Sequence, residues 1–393
     1  MRAKSIIRDV VGQCSEFLHA KTVDALLRFC IALLMGQKLT LTELGRSAPG
    51  AAKPKHRIKA ANRFLGNRRL YAKLPDIYRV LAQRWIELAP KSPVVLVDWT
   101  GLPNNFYSIS ASVAFQGRSV PIYAEVYPES KKSNRRIEAR FLRRLKDILP
   151  SACQPTVVAD AGFYTEWCDA VESQGWNFVV RVRDKTMYRD KDDSAWTPIK
   201  NLHEVASRKV RSLGWVWLTK SHPRKRRVIY IRKRKTGRHS RGQSTNAKKC
   251  RARANEPWIL STNLRVAPKT IVSIYAFRMQ IEQNYRDFKD RRWGWCLEQA
   301  RCKSAERYAL LLLLATITMF SVLLLGFAAE RTGAHRAHQA NTSRRRVLSF
   351  FYLGNRLIKE RSELPVSVLR GFIPLLAESI CSVQPAAPPP RVP

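Results

Sequence analysis

Four side chains with complementary chemistry recur at helical intervals between residues 274 and 290. They are a phenol, a guanidinium, a carboxylate and an ammonium group: Tyr275, Arg278, Glu282 and Lys289. Because an α-helix turns by about 100° per residue, spacings of three, four and seven place all four in a stripe roughly 60° wide on one predicted helix. An apolar stripe lies roughly 90° from it, which indicates a helix that packs on a core: Ile274, Phe277, Ile281, Tyr285 and Phe288. The predicted helix therefore presents a carboxylate and two cations at the border of a core.

Two further carboxylates follow apolar, β-branched runs. Asp98 ends PVVLVD and Asp160 ends TVVAD, so each is expected at the end of a buried strand. With Glu282 they supply oxygen donors of the kind that Mg²⁺ or Mn²⁺ prefers. Two such ions about 3.5–4 Å apart support phosphodiester chemistry. A single aspartate at a strand end is more often structural, and it is the set of three in this element order that favours a shared metal site.

Three other glutamates compete for the third position in this set: Glu125, Glu129 and Glu138. The first two follow a predicted strand, and Glu138 opens a predicted surface helix. None has cationic partners at helical spacing beside a core, so Glu282 is the preferred candidate.

The charge balance identifies the class of partner. The 393 residues include 71 Lys and Arg against 30 Asp and Glu, which gives a formal net charge of +41. Such an excess predicts a polyanionic partner. Nucleic acid is favoured over an acidic membrane surface because the basic residues are spread along the chain instead of lying on one amphipathic helix.

Residues 309–329 form an apolar run that is long enough to span a bilayer. The alternative is a helix buried in a large core. The core helix is favoured, since this is the only such run in the sequence and Thr316, Thr318 and Ser321 interrupt it. No membrane association is therefore expected. The eight cysteines contain no CxxC pair, which fits a reducing cytosol and gives no indication of a zinc ribbon or disulfide framework.

Residues 1–88 are predicted to form a helical domain. Two helices flank a Gly/Pro turn in this region, and the second, within KPKHRIKAANRFLGNRRLYAK, is basic. This arrangement resembles a helix-turn-helix DNA-binding unit. Base readout, phosphate contact and a merely solvated charged face all remain open.

Residues 89–330 show the pattern of an α/β domain. Three strands form a meander around a turn at Gln116–Arg118, and they are followed in order by a helix, a strand, a helix and a strand. An insertion at about 185–256 holds strand-like pieces and a basic run from Lys220 to Arg253. A contact to the DNA backbone is the favoured interpretation of this run, and a solvated or disordered loop is the alternative. Residues 331–393 are predicted to be a partly disordered tail and a possible interaction region.

The spacing Y-x2-R-x3-E-x6-K, filled by the four residues of the predicted helix, resembles the signature of DDE transposases from bacterial cut-and-paste insertion sequences. VDWTG and ADAGF resemble the two aspartate motifs of that family. The resemblance covers about residues 90–330. It implies an α/β fold with a ribonuclease H-like mixed sheet flanked by helices and interrupted by a β-rich basic insertion. The all-helical N-terminal domain predicted above precedes this region, and the resemblance covers it only loosely.

The resemblance also implies a role for each residue. Asp98, Asp160 and Glu282 would be the catalytic, metal-binding triad for Mg²⁺ or Mn²⁺, with two ions expected. The other three signature residues would hold phosphates and a flipped base. In family members that form a DNA hairpin, a tryptophan in the preceding strand stacks on an extruded base, and Trp258 occupies the matching place; a buried core tryptophan is the alternative. The chain departs from the family where Trp99, and not a hydroxyl residue, follows the first aspartate.

The activity implied is that of a metal-dependent DNA endonuclease and strand transferase. It would bind terminal inverted repeats of double-stranded DNA, cleave the ends and join the 3′ ends to target DNA, as a homodimer on paired ends. A prokaryotic, cytoplasmic and nucleoid-associated location is expected, with no small-molecule substrate. A DNA-binding repressor and a nuclease that does not join are the alternatives.

Overall fold

A computed structural model describes residues 3–86, 92–183, 186–192, 195–233, 244–245, 255–362 and 364–383. The chain forms two compact units, of which the first comprises Met1–Cys153 and Met279–Gln384 and the second Gln154–Arg278. The first unit is therefore discontinuous in sequence. The three-domain division of the chain predicted from the sequence stays a prediction.

The described part of the chain before residue 87 is helical. Its α-helices are α1 Ala3–Gly12, α2 Ala20–Gly36, α3 Leu41–Ser47, α4 Pro54–Leu65, α5 Arg68–Ala72 and α6 Leu74–Ile86. The Thr40 hydroxyl caps α3 by accepting a hydrogen bond from the Glu43 amide at 3.4 Å. A Cβ atom at Gly45 would overlap the backbone of Ile58, so a glycine lets α3 and α4 pack closely. The all-helical N-terminal region is confirmed.

A three-stranded antiparallel meander follows, consisting of β1 Val94–Leu102, β2 Phe106–Phe115 and β3 Arg118–Pro128. Gln116 and Gly117 form the β2–β3 turn with φ of 40° and 87°, which suits a tight hairpin. The prediction that β1 ends at Asp98 is wrong. Because β2 pairs with β1 as far as Leu102, the strand continues beyond the aspartate.

Helix α7, Arg135–Ile148, packs beside the meander. Its N-terminus is capped by the Asn134 side chain, which accepts hydrogen bonds from the amides of Arg136 at 3.0 Å and Ile137 at 3.2 Å. The helix stops two residues before Pro150, as expected for a residue that cannot continue a helix.

The described residues of the second unit form seven β-strands and three α-helices. In chain order they are β4 Thr156–Ala159, α8 Thr165–Ser173, β5 Asn177–Arg181, β6 Met187–Arg189, β7 Thr197–Pro198, α9 Leu202–Val205, β8 Arg211–Leu218, β9 Arg224–Ile231, β10 Trp258–Thr262 and α10 Pro268–Ala276. The strands lie in the order β4-β5-β10-β9-β8-β6-β7, with β4 and β5 parallel and the other registered pairs antiparallel. The strands of the predicted insertion therefore continue the sheet that starts with β4 and β5.

The chain then returns to the first unit with α11 Met279–Lys289, α12 Ala305–Arg331, α13 Phe350–Lys359 and α14 Val366–Val383. Among the described residues, α12 is the one unbent helix long and apolar enough to cross a membrane, and its apolar window is entirely buried in the protein. A second candidate would require α2 and α3, which meet at 97°, to form one span. Gly326 in α12 and Gly354 in α13 let the two helices approach closely. A Cβ atom at Gly326 would overlap the carbonyl oxygen of Phe350, and one at Gly354 would overlap that of Val322.

The predicted fold class is confirmed. The protein is α/β, with mixed strands flanked by helices, and its elements follow the predicted order of three strands, helix, strand, helix and strand. The segment 331–393, predicted as a tail, contains α13 and α14, and the Pro-rich end lies outside the described residues.

Candidate functional site

The predicted signature helix is interrupted, so the expectation of one continuous helix is wrong. Tyr275 lies in α10, Arg278 in the turn that follows, and Glu282 and Lys289 in α11. The turn is closed by short-range bonds, in which the amide of Phe277 donates to Ile274 O at 3.2 Å and that of Arg278 to Tyr275 O at 3.0 Å. Glu282 and Lys289 still share one face of α11 because they are seven residues apart.

In the first unit, Asp98 lies on a polar face of the β1–β2 pair. Side chains alternate along a strand, so Thr100 shares the face of Asp98. The residues paired with them on β2 are Ser108 and Ser110, both buried. Thr100, the hydroxyl residue nearest to Asp98 along β1, therefore lies on the same face as the aspartate.

Trp99 points to the opposite face of β1. Its indole Nε1 donates a hydrogen bond to Oε1 of Glu138 at 2.8 Å. The departure from the family motif at this position therefore leads to a contact with α7.

Helix α11 covers the polar face of β1 and β2. The Tyr285 hydroxyl donates to Ser108 Oγ at 3.0 Å, and burial raises the pKa of this phenol, with the Asp98 charge adding to the effect. Burial also lowers the pKa of the Lys289 ammonium, while the charges of Glu298 and Asp98 oppose that shift. Asp98 and Lys289 therefore attract each other electrostatically.

The rotation of α11 is fixed by three polar contacts to the β2–β3 hairpin. Asn284 accepts from the Ser119 amide at 3.1 Å and donates to Ser119 Oγ at 2.8 Å; Gln280 accepts from the amide of Phe115 at 2.8 Å. The third contact is an ion pair of 2.5 Å between Asp287 and Arg118. We call Gln280, Asn284 and Asp287 the polar clamp.

The polar clamp lies on the side of α11 away from Glu282. Its members are spaced by four and three residues, so they share a face that is rotated by roughly 160–180° from Glu282 and Lys289. Burial raises the pKa of Asp287, against the opposing charge of Arg118. Because the clamp holds the opposite side of α11 against the β2–β3 hairpin, it determines the direction in which the Glu282 side of the helix faces.

The rival glutamates are engaged elsewhere. Glu125 is buried and accepts hydrogen bonds from two tyrosine hydroxyls and from Arg144, the last at 2.9 Å. Glu138 accepts the Trp99 bond, and Glu129 accepts from Tyr107 at 3.4 Å. The choice of Glu282 as the third carboxylate stays a prediction.

In the second unit, Asp160 directly follows β4, as predicted. Its Oδ1 accepts a hydrogen bond from the Gly162 amide at 2.7 Å. A Cβ atom at Gly162 would lie 2.9 Å from that same oxygen, so the glycine of ADAGF allows the backbone to hold the carboxylate.

Tyr275 and Trp258 are brought together. Their ring centroids are 4.9 Å apart and the planes meet at 77°, while Nζ of Lys233 lies 4.5 Å from the centroid of Trp258. Burial raises the pKa of Tyr275, Arg278 and Arg181 act against it, and the charge of Asp160 adds to it. The Trp258 side chain is only partly buried.

Arg181, whose charge acts on Tyr275, and Arg183 were not predicted from the sequence as site residues. Arg181 Nη2 lies 3.3 Å and Arg183 Nε 3.6 Å from Oε2 of Glu256. Burial lowers the pKa of Arg181, and the adjacent charge of Arg183 lowers it further. The alternation RVR at the end of a strand, which puts both cations on one face, is the signal that could have identified them.

Several basic side chains in the described part of the insertion stabilise the second unit. Arg224 and Arg226 bind Asp169 at 3.1 and 2.6 Å, Arg227 donates to Leu264 O at 3.3 Å, and Arg232 donates to backbone carbonyls. Most of the predicted DNA-contacting run, residues 234–243 and 246–253, lies outside the described residues.

Within the described ranges, no three or more His, Cys, Asp or Glu side chains lie together in a way that could hold a metal ion. The first unit carries Asp98 and Glu282, and the second carries Asp160. Their shared metal site stays a prediction.

A family model described as a transposase DDE domain matches residues 89–319 of the chain. No curated protein sequence matches it significantly. Among solved structures, a piggyBac transposase in a synaptic complex with hairpin DNA is similar with a TM-score of 0.42 and 9% identity, over 100% of this chain and 84% of that one. Nothing about this chain follows from so distant a likeness.

Proposed function

The chain belongs to the transposase DDE domain family, and we propose that it binds the terminal inverted repeats of its own mobile element, cleaves the DNA at both ends and joins the freed 3′ ends to target DNA. Reaction at paired ends requires two active sites, so the working form proposed is a homodimer acting on double-stranded DNA in the cytoplasm of a prokaryote.

One observation carries this proposal. Each predicted catalytic aspartate is accompanied by a side chain suited to binding a DNA strand: the charge of Asp98 acts on Lys289 in the first unit, and that of Asp160 acts on Tyr275 in the second. Carboxylates alone would repel a phosphodiester, whereas carboxylates next to cations and a phenol can hold one in place.

The chemistry of the three carboxylates fits a hard divalent cation. Asp98, Asp160 and Glu282 are oxygen donors on half-buried side chains, and the Gly162 amide orients the Asp160 carboxylate, as outer-shell groups do for metal ligands. Bound Mg²⁺ or Mn²⁺ would supply charge stabilisation to the attacking and leaving oxygens.

The remaining signature residues position the strand. Arg278 offers a planar fork for two phosphate oxygens, Lys289 a point charge, and Tyr275 a hydroxyl on a ring that contacts Trp258. Trp258 would stack on an extruded base, which suits its partly buried ring.

The N-terminal helices are proposed to recognise the terminal repeat. Along α4, Lys55, Lys59 and Arg63 are exposed at intervals of four, so they form one basic stripe able to follow a phosphate backbone. The basic run of the insertion would add further contacts of this kind.

The test is cleavage of DNA from the ends of the element. Purified protein is incubated with end DNA, flanking DNA and Mg²⁺, and the cut positions and joined products are mapped. We expect strand cuts at the repeat termini followed by joining of 3′ ends. Cuts without joining would indicate a nuclease, and binding without cuts would indicate a repressor.

A further inference from the structure

A cavity of about 160 Å³ lies in the first unit just beyond the C-terminus of α11. It is formed by residues 36–38 after α2, by 291–296 after α11, and by one side of α13. Neither the family signature nor the proposed cleavage chemistry accounts for it.

The loop that forms the cavity is held rigidly. Asp290 Oδ1 accepts hydrogen bonds from the amides of Arg292 at 2.7 Å and Trp293 at 2.6 Å, and these bonds lower its pKa. The amide of Trp295 donates to Asp287 O at 2.9 Å. A Cβ atom at Gly294 would overlap that same carbonyl oxygen, so the tight return of the loop requires glycine.

The floor of the cavity is a buried hydrogen-bonded network. Gln37, with a left-handed φ of 49°, donates from Nε2 to Asn355 O at 2.9 Å. Trp295 Nε1 donates to Asn355 Oδ1 at 3.3 Å. Floor and loop are therefore fixed before any ligand arrives, which lowers the entropic cost of binding.

The cavity is strongly basic. Five of its described lining residues are cationic and none of them is Asp or Glu: Lys38, Arg291, Arg292, Arg356 and Lys359. Glu360 pairs with Arg356 at 2.5 Å, Glu298 lies 3.8 Å from Arg291, and the charge of Asp290 acts on Arg292. Five cations therefore face three nearby carboxylates, and this excess of positive charge favours an anionic ligand.

The cavity also has an aromatic wall. Trp293 is 61% exposed, although tryptophan is usually well buried. It meets the ring of Tyr352 at 5.5 Å and 69°, an edge contact that does not occupy both ring faces of Trp293. A cavity of ~150 Å³ can hold a benzene ring, so a planar base fits beside the tryptophan.

We propose that this cavity binds an unpaired nucleotide of a DNA strand, with the base stacked on Trp293 and the flanking phosphates held by the five cations. An anionic, aromatic ligand follows from the lining, and the open mouth with cations at its rim favours a nucleotide within a strand over a free one. The inference rests on the proposed function only in taking DNA as the ligand.

The test compares the binding of a single-stranded thymidine oligonucleotide with that of an abasic strand of equal length, both without divalent cations. Trp293→Ala should weaken thymidine-strand binding roughly 5- to 150-fold and leave abasic-strand binding unchanged. Trp293→Phe should retain most of the affinity. The matched control is Trp215→Ala, which removes another exposed tryptophan beside a cation, Arg265, and should change neither affinity.

The cations are tested by their salt dependence. The double variant Arg292→Gln with Lys359→Gln should weaken both strands equally and reduce the slope of log affinity against log salt by about 0.7 per lost contact. Equal weakening of both strands by Trp293→Ala, or equal loss in the Ala and Phe variants, would overturn the proposal. If thymidine monophosphate displaces the strand completely, the cavity is a site for a free nucleotide and the proposal is overturned.

Failure of this inference can be told from failure of the proposed function. Cleavage of end DNA in Mg²⁺ is measured in parallel with the same preparations. Normal cleavage without a Trp293-dependent base preference would refute only the proposed nucleotide site. A base preference without any cleavage would refute only the proposed function.

Discussion

The ammonium group of Lys233 lies over the ring of Trp258, with Nζ 4.5 Å from the ring centroid. A cation thus covers one face of the tryptophan that is proposed to stack on an extruded base. Burial lowers the pKa of Lys233, although the facing ring itself favours the charged ammonium. A base that uses this face must displace the lysine, whose charge could then attract the phosphate of the same nucleotide.

Trp258→Ala is predicted to abolish the preference for an intact extruded base. The measurement compares affinities for hairpin-ended DNA with and without the terminal base. We expect a preference of roughly 5- to 150-fold in the unmodified protein, none in the Ala variant and most of it in Trp258→Phe. If Trp258 is only a core residue, Trp258→Ala will instead lower the melting temperature and leave the preference unchanged.

Asp98→Ala, Asp160→Ala and Glu282→Ala are each predicted to abolish strand cleavage while leaving the binding of end DNA largely intact. A metal site needs its complete ligand set, whereas phosphate binding is shared among many cations. Cleavage and gel-shift assays on the same preparations separate the two effects. Near-normal cutting by any one variant would remove that residue from the proposed triad.

Asn284→Ala is predicted to lower the free energy of unfolding by about 1–3 kcal/mol, because it leaves buried groups of Ser119 without partners. It should also slow cleavage, since the polar clamp sets the rotation of the helix that carries Glu282. Arg286→Ala, at an exposed position of the same helix, is the control for stability. Denaturant unfolding and single-turnover cleavage test the two effects, and unchanged cleavage would show that the clamp is purely structural.

The charged Lys289 side chain is predicted to lower the stability of the protein and to raise its rate of DNA cleavage. Its pKa is lowered by burial, so between that pKa and about 10.4 the folded state binds fewer protons than the unfolded state. Its contribution to the free energy of unfolding therefore rises with pH through this window. Lys289→Met should abolish that pH dependence, raise stability at neutral pH and slow cleavage by roughly 100-fold through loss of strand alignment.

The lowered pKa of Lys289 should also appear in the pH dependence of DNA binding. Its contribution to affinity for end DNA should fall at a lower pH than expected for an ordinary lysine, and Lys289→Arg should extend binding to more alkaline solution because guanidinium stays charged. Affinity measured over a pH series tests this. Identical alkaline profiles for the two proteins would mean that Lys289 does not contact the strand.

Neutralising Arg238, Arg241, Lys248 and Lys249, in the part of the insertion outside the described residues, should flatten the dependence of log affinity on log salt. The expected change is about 0.9 per lost contact on duplex DNA. Arg226→Gln serves as a comparison because this arginine binds Asp169. It should lower the free energy of unfolding and have little effect on the slope of log affinity against log salt. An unchanged slope in the fourfold variant would mean that the segment does not contact the backbone.

Much of the fold could be predicted from local patterns. Alternation identified the meander, and the Gln116–Gly117 turn identified its hairpin. These features depend on neighbouring residues, and so a single sequence contains them. Spacing alone likewise placed Glu282 and Lys289 on one face of a helix.

The features that were missed depend on distant parts of the chain. The extension of β1 past Asp98 follows from pairing with β2, and the position of Arg181 depends on Glu256. The break between α10 and α11 contains neither glycine nor proline, so no local signal marks it. Helix α13 follows a run of arginines that resembles a tail, and it is stabilised by packing on α12 through Gly354.

The discontinuity of the first unit has a consequence for synthesis on the ribosome. Its N-terminal part ends at Cys153, yet helices α11 to α14 are made only after Gln154–Arg278. At about 5–20 residues per second, this delay lasts roughly 6–25 s. During that time the apolar surfaces that will pack on α12 have no partner, so the nascent chain is expected to need a chaperone until its last hundred or so residues have emerged.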